Sequence, residues 1–198
     1  AKWSHMLGGQ ANPGVTIRSI INRGGEQGAQ HSQALHAWFA HVPGLRVVMP
    51  STVADARDLL IASVLCNDPV MYIDDRWLYD QEDDLPPVVE LDLTNQQPVV
   101  SIVGSDITIV ASGHASLLAR EAAEQLKNEG ILVEVVDIRV LNPFHAEEII
   151  KSVKKTKNLL AIDSGWISGG FSAEIIAKVV EQLPVDCLNN PPTRLALP

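Results

Sequence analysis

The stretch from Ile107 to Asp137, ITIVASGHASLLAREAAEQLKNEGILVEVVD, decides the fold class. Two β-branched runs flank a segment with helical periodicity, in which Leu118, Ala122 and Leu126 share one face. Gly130 follows as a helix stop. The predicted elements are strand Ile107–Ala111, helix Leu117–Glu129 and strand Leu132–Asp137. A strand, a helix and a strand in this order predict a parallel β-α-β unit.

The same alternation continues through the rest of the C-terminal half. The elements predicted there are helix Ala146–Lys155, strand Leu159–Ile162, helix Phe171–Gln182 and strand Val185–Leu188. Strands that alternate with helices form a mostly parallel, doubly wound sheet with right-handed crossovers. The sequence therefore predicts the α/β class.

The N-terminal half repeats the pattern more loosely. The elements predicted there are strand Val15–Ile21, helix Ser32–Ala40, strand Arg46–Met49, helix Ala54–Cys66 and strand Val70–Asp74. Thr52 and Asp55 are spaced as a capping box for the second of these helices. The segment Tyr79–Gln97 is acidic, contains Pro86 and Pro87 and lacks periodicity, which indicates a linker between two α/β units.

A glycine-rich run joins the first predicted strand to the first predicted helix. Gly24, Gly25 and Gly28 precede His31, which stands at the junction. Glycines let backbone N–H groups approach a ligand, and a histidine in such a place can donate or accept a proton near neutral pH. A histidine that only caps the turn fits the same spacing, so the residues alone leave both interpretations open.

Nucleotide-binding and zinc-binding patterns are absent from this region. The glycine spacing does not match G-x-G-x-x-G, and no Gly-Lys-Ser/Thr follows. His31, His36 and His41 are five residues apart, and each step rotates about 140° around a helix. These three imidazoles therefore cannot converge on one metal ion from one regular helix.

Composition limits the class of protein and its partners. The formal net charge of −9 argues against nucleic acid as a partner. No apolar run reaches the length needed to span a bilayer, so we expect no membrane association. Cys66 and Cys187 have no motif spacing and indicate reduced thiols. We expect a cytoplasmic enzyme, located in the mitochondrial matrix if the source is eukaryotic.

Motifs spread over both halves carry a resemblance to a known family. They are Gly28–Gln33, Trp38–Thr52, Asp55–Leu60, Asp68–Val70, Arg76–Tyr79, Val135–Arg139, Asp163–Trp166 and Gly169–Gly170. In these motifs the chain resembles the beta subunit of thiamine-diphosphate-dependent 2-oxo acid dehydrogenases, the pyruvate, branched-chain and acetoin enzymes. That family has a transketolase-like fold.

The resemblance implies a division of the chain. Residues 1–80 would form the C-terminal half of a pyrimidine-binding-type domain, residues 81–97 a linker and residues 98–198 a transketolase C-terminal-like domain. It also implies a fragment that lacks the N-terminal part and the extreme C-terminus. The loop Asp163–Gly170 is usually structural in this family and lies in a subunit contact.

The resemblance further implies a reaction, cofactors and partners. The reaction is oxidative decarboxylation of a 2-oxo acid, with transfer of the acyl group to a lipoyl group. Thiamine diphosphate and Mg²⁺ would be shared with an alpha subunit. A second beta subunit and the lipoyl domain of the acyltransferase component complete the set of partners.

His31 matches the family histidine at the mouth of the active site, which implies a general acid for the lipoyl sulfur. The family's activating glutamate precedes the point where this sequence begins, so no cofactor-binding residue is assigned and the isolated chain is expected to be inactive. Some members hold K⁺ through backbone carbonyls, which correspond here to Ser63, Cys66 and Asp68.

Two other classes of function stay open at this point. A transketolase or a deoxyxylulose-phosphate-synthase-like enzyme would share the fold and the cofactor but would need arginines that bind a sugar phosphate. A non-catalytic assembly domain, with residues 107–188 as the contact region, is the other alternative.

Overall fold

The computed structural model describes residues 1–22, 28–184 and 186–198. The chain forms two compact units. The first comprises residues 1–96 together with 139–144, and the second comprises residues 97–138 together with 145–198. A short piece of the C-terminal half of the sequence therefore belongs to the first unit.

Six helices and nine strands lie in the described residues. The helices are α1 (Trp3–Met6), α2 (His36–Ala40), α3 (Val53–Leu65), α4 (His114–Lys127), α5 (Glu147–Thr156) and α6 (Phe171–Gln182). The strands are β1 (Thr16–Ile21), β2 (Arg46–Val48), β3 (Val70–Asp75), β4 (Val99–Ile102), β5 (Ile107–Ala111), β6 (Val133–Asp137), β7 (Val140–Asn142), β8 (Leu159–Trp166) and β9 (Thr193–Leu197).

The first unit contains a four-stranded sheet in the order β1-β3-β2-β7. β3 pairs in parallel with β1 on one side and with β2 on the other, and β7 adds an antiparallel edge. Helix α3 packs on one face, where Leu59 and Ala62 meet Val70 and Tyr72. Leu93 is buried in the same apolar cluster.

The second unit contains a five-stranded sheet in the order β4-β6-β5-β8-β9. All neighbours are parallel except β4, which runs antiparallel to β6. On β5, Ile109 belongs to the apolar cluster with Ala115 and Ala119 of α4. The adjacent Thr108 contacts Ser152 of α5 through its hydroxyl. Because neighbouring side chains of a strand point to opposite faces, helices cover both faces of this sheet.

A buried polar network lies between this sheet and α5. Glu134 on β6 is only 2% exposed and accepts hydrogen bonds from Ser152 Oγ, Lys155 Nζ and the Gly104 N–H. Burial alone would raise the pKa of the Glu134 carboxyl, but these donors outweigh burial and hold its pKa below the usual range. The network therefore holds α5 to the sheet through a buried carboxylate.

The structure confirms the α/β class and most of the predicted elements, including Thr52 as the N-cap of α3, whose Oγ1 accepts from the Asp55 N–H at 3.1 Å. The helix predicted over Ser32–Ala40 is wrong in its first part. A 3-10 turn at Ala29–His31 comes first, and α2 begins at His36. Residues 30–33 are all exposed, so this stretch has no buried face that would hold it in a helix.

The strand predicted over Val185–Leu188 is also wrong where the structure describes it. Val185 lies outside the described residues. Asp186 and Cys187 form a turn and a bend, and the Cys187 N–H donates to the Pro184 carbonyl at 2.9 Å. The last strand is instead β9, which pairs in parallel with β8.

The buried network predicts a pH-dependent stability. Replacing Glu134 by Gln should lower the free energy of unfolding at pH 7 by about 1–3 kcal/mol, because the buried donors lose a charged acceptor. The folded-state pKa of Glu134 is depressed, so its stabilisation exists above the unfolded-state pKa near ~4.3 and is lost as the pH falls through the folded-state value. The difference between the two proteins should therefore shrink below about pH 4.

Denaturant unfolding of both proteins between about pH 3 and 8 measures this difference. Glu129→Gln is the matched control, because Glu129 is exposed, and its effect should stay within about 0.5 kcal/mol. Equal losses for the two variants at pH 7 would contradict the role of the network.

We propose that the acidic segment at residues 81–90 of the first unit is the first site of proteolysis. All residues from 81 to 90 are exposed and lie outside helices and strands. A glutamate-specific protease should therefore cut after Glu82 or Glu90 before it cuts after Glu121 or Glu124 in α4. Mass spectrometry of a short digest distinguishes the two patterns, and early cleavage within α4 would overturn the proposal.

Candidate functional site

The carboxyl ends of β1, β2 and β3 lie at the same edge of the first sheet, because these strands are parallel. In open α/β sheets, ligands bind outside this edge. Asn22 follows β1, and Arg76 follows β3. Arg76 Nη1 donates to Asn22 Oδ1 at 2.7 Å, which ties the two chain segments together where they leave the sheet.

His31 lies on the turn that comes before α2. Its backbone N–H donates to the Gly28 carbonyl at 3.2 Å, and Gly28 has a φ of 85°, which favours glycine. The His31 side chain is exposed. Gly24 and Gly25, the other two glycines of the predicted loop, lie outside the described residues. An exposed imidazole on this turn can reach a second molecule.

A polar cluster at the end of β3 was not predicted in this form. Asp74 pairs with Arg18 of β1, whose Nε and Nη2 donate to Oδ2 at 2.9 and 2.6 Å. The Tyr79 hydroxyl also contacts Asp74 Oδ2, at 3.2 Å, and Arg18 Nη2 donates to that hydroxyl at 2.7 Å.

This cluster keeps Tyr79 protonated. Partial burial and the neighbouring Asp74 carboxylate raise the pKa of the Tyr79 hydroxyl above its usual value. The hydrogen bond from Arg18 to Asp74 in turn raises the pKa of the guanidinium. Arg18 and Asp74 are 56 residues apart, so only the pairing of β1 with β3 brings them together.

Two of the three carbonyls named for K⁺ face the start of β1. Thr16 Oγ1 donates to the Ser63 carbonyl at 2.7 Å, and a Cβ on Gly14 would lie 3.2 Å from the Cys66 carbonyl. Asp68 uses its side chain to bind Arg46, at 2.6 Å. The Ser63 carbonyl therefore lies beside the first residue of β1, and the Cys66 carbonyl lies beside Gly14, two residues before that strand.

The loop Asp163–Gly170 in the second unit contains a carboxylate, that of Asp163, which binds backbone N–H groups. Asp163 accepts from the Gly165 N–H and from the Ser172 N–H in the first turn of α6, both at 2.9 Å. A Cβ on Gly170 would lie 2.1 Å from the Trp166 carbonyl. The Asp163 carboxylate thus occupies the helix terminus that could otherwise attract an external anion.

In the described ranges 1–22, 28–184 and 186–198, no three His, Cys, Asp or Glu side chains gather in a way that could hold a metal ion. Among the same residues, no helix is both long and apolar enough to cross a bilayer.

Two domain families match this chain, one in each half. The transketolase C-terminal domain covers residues 98–198, just over half of the chain. The transketolase pyrimidine binding domain covers residues 1–81. The chain belongs to the family defined by the transketolase C-terminal domain. The match confirms the transketolase-like fold expected from the motifs.

Curated relatives of this transketolase-family chain are beta subunits of 2-oxo acid dehydrogenases. The pyruvate dehydrogenase E1 component subunit beta of Rhizobium meliloti is 35% identical over 92% of this chain and 40% of the relative. The mitochondrial 2-oxoisovalerate dehydrogenase subunit beta 2 of Arabidopsis thaliana is 37% identical over 92% of this chain and 51% of the relative. The acetoin:2,6-dichlorophenolindophenol oxidoreductase subunit beta of Bacillus subtilis is 34% identical over 100% of this chain and 57% of the relative.

These similarities confirm the resemblance drawn from the motifs. The chain spans about half the length of the curated relatives it matches.

A solved structure described as a split gene transketolase, inactive beta4 tetramer, has the same fold. Its TM-score is 0.76 at 24% identity, over 92% of this chain and 57% of the other.

Proposed function

We propose that this chain is part of the beta subunit of a thiamine-diphosphate-dependent 2-oxo acid dehydrogenase. The observation that carries the proposal is the match to beta subunits of the pyruvate, branched-chain and acetoin enzymes over 92% or more of the chain. The match extends through both domains rather than through one motif. The reaction would be oxidative decarboxylation of a 2-oxo acid, in the cytoplasm or in the mitochondrial matrix.

The cofactor site would be shared. Thiamine diphosphate supplies the decarboxylation chemistry when bound, and an alpha subunit would hold Mg²⁺ and the diphosphate. On this chain the carboxylates at the sheet edge are already engaged, Asp74 by Arg18 and Asp75 by the Trp77 N–H. Neither corresponds in the resemblance to the activating glutamate. The described residues therefore fit only part of a cofactor site, and we infer that the isolated chain is inactive.

The contribution of this chain to acyl transfer would come from His31. Its exposed imidazole stands on the turn that comes after β1 in the sequence and before α2. A side chain there can give a proton to the sulfur of a lipoyl group carried by a partner protein. A second beta subunit would complete the assembly with the alpha subunits.

A structural K⁺ is part of the same proposal. Carbonyl oxygens suit such a hard cation, and the carbonyls of Ser63 and Cys66 already face the start of β1. The carbonyl of Asp68 would be the third ligand. The ion would fix the turn after α3 against β1.

Substitution of His31 tests the assignment in the complex with an alpha-type subunit. His31→Ala should leave reduction of an artificial electron acceptor largely intact and should slow acylation of a lipoyl domain by roughly 10²–10⁴-fold. His41→Ala is the matched control, because His41 is also exposed and directly follows α2. Both half-reactions are followed with the same 2-oxo acid.

Wild-type rates of both half-reactions in His31→Ala would show that His31 only caps the turn. If the complex instead turned over a ketose phosphate and no 2-oxo acid, the chain would belong to a transketolase or a deoxyxylulose-phosphate-synthase-like enzyme. Absence of any turnover with an alpha-type subunit would favour an assembly role.

A further inference from the structure

Strand β9 (Thr193–Leu197) forms one edge of the five-stranded sheet in the second unit. Among the described residues it pairs with β8 on one side, and no strand lies on its other side. Four of its five residues are exposed, and Ala196 is half-buried. An edge strand of this kind presents a row of backbone N–H and C=O groups to which another strand can pair.

The backbone groups on the free side of β9 belong to Arg194 and Ala196. The N–H and C=O groups of successive residues point to opposite sides of a strand. The Leu197 carbonyl accepts from the Ile167 N–H at 2.8 Å, so Leu197 bonds toward β8, and by alternation Leu195 does the same. The irregularity in this ladder lies in β8, so the alternation along β9 is unbroken. The backbone groups of Arg194 and Ala196 therefore point away from β8.

An exposed apolar strip accompanies these free backbone groups. Leu195 and Leu197 project from the same face of the sheet, because side chains two apart on a strand share a face. Leu195 is 59% exposed and Leu197 is 47% exposed. Trp166, which lies opposite Leu197 on β8, is 43% exposed. The strip of Trp166, Leu195 and Leu197 thus offers apolar surface to a strand that pairs with β9.

The one charged side chain of β9 is that of Arg194. Charged side chains on edge strands commonly keep other strands away. Here Arg194 Nη1 donates to the Ile167 carbonyl at 2.9 Å, and Ile167 directly follows β8. The guanidinium is therefore held on the β8 side of the strand, which leaves the free edge open.

A second copy of β9 fits this edge in one register. A twofold axis at Leu195 makes the two strands antiparallel and places Arg194 of each copy opposite Ala196 of the other. Each of these pairs can exchange both of its N–H···O bonds, and Leu195 lies opposite its own counterpart. An axis at Arg194 would place like charges opposite each other, and an axis at Ala196 would place Arg194 opposite Pro198, which has no N–H.

We propose that β9 is a self-pairing edge, through which two copies of this chain form a symmetric dimer with one continuous sheet. The second copy is favoured over an unrelated strand because the axis at Leu195 satisfies the free groups of Arg194 and Ala196 and brings the two apolar strips together. The inference does not rest on the proposed function, which names a second beta subunit but no contact surface.

Sedimentation of the 198-residue chain from about 1 to 200 µM tests the proposal. Because the paired edge is short, the wild type should show a weak monomer–dimer equilibrium with a Kd of about 1–100 µM. Leu195→Lys places two like charges opposite each other at the axis and should raise the Kd by at least about tenfold. Val103→Lys makes the same charge change at a 79% exposed position next to β4, on the opposite edge of the sheet, and should leave the Kd unchanged.

A charge exchange tests the position of the axis. Leu195→Glu should also dissociate the dimer, and mixing it with Leu195→Lys should strengthen association by at least about tenfold over either variant alone, because opposite charges then meet. Restored association also shows that both variants are folded. A wild type that stays monomeric over the whole range, a dimer that Leu195→Lys leaves unchanged, or a mixture that associates no better than the separate variants would overturn the proposal.

Discussion

The register of β3 between β1 and β2 is the constraint on which the first unit depends. Thr16 lies opposite Val70, and Ile21 lies opposite Asp75, so the two strands run in step to their carboxyl ends. A shift by one residue would turn every side chain of β3 to the other face. Leu59 and Ala62 of α3 pack against only one of these faces, and this packing fixes the register.

Several polar features follow from that register. It brings Arg18 to Asp74 and Arg76 to Asn22, at distances of 2.6 and 2.7 Å. The first contact links β1 to β3, and the second ties together the residues that directly follow these two strands. The apolar pairing thus positions the polar groups at the carboxyl edge of this sheet.

The sequence predicted what depends on local pattern, and it missed what depends on distant pairing. Strand β5 and helix α6 have the predicted bounds, because each carries its own periodicity and stop signals. Strands β4, β7 and β9 were missed. β4 and β7 are short and are held by antiparallel pairing with distant strands, and β9 depends on its pairing with β8. His31 was named as a candidate through its motif, and its role stays a prediction. The Arg18–Asp74 pair and the buried Glu134 were not, because their partners lie 18 to 56 residues away.

We propose that this chain supplies one part of a shared thiamine diphosphate site. Calorimetric titration of thiamine diphosphate with Mg²⁺ into the chain, alone and then together with an alpha-type subunit, tests it most directly. We expect no stoichiometric binding by the chain alone and saturable binding by the mixture. Tight, stoichiometric binding by the chain alone would contradict it.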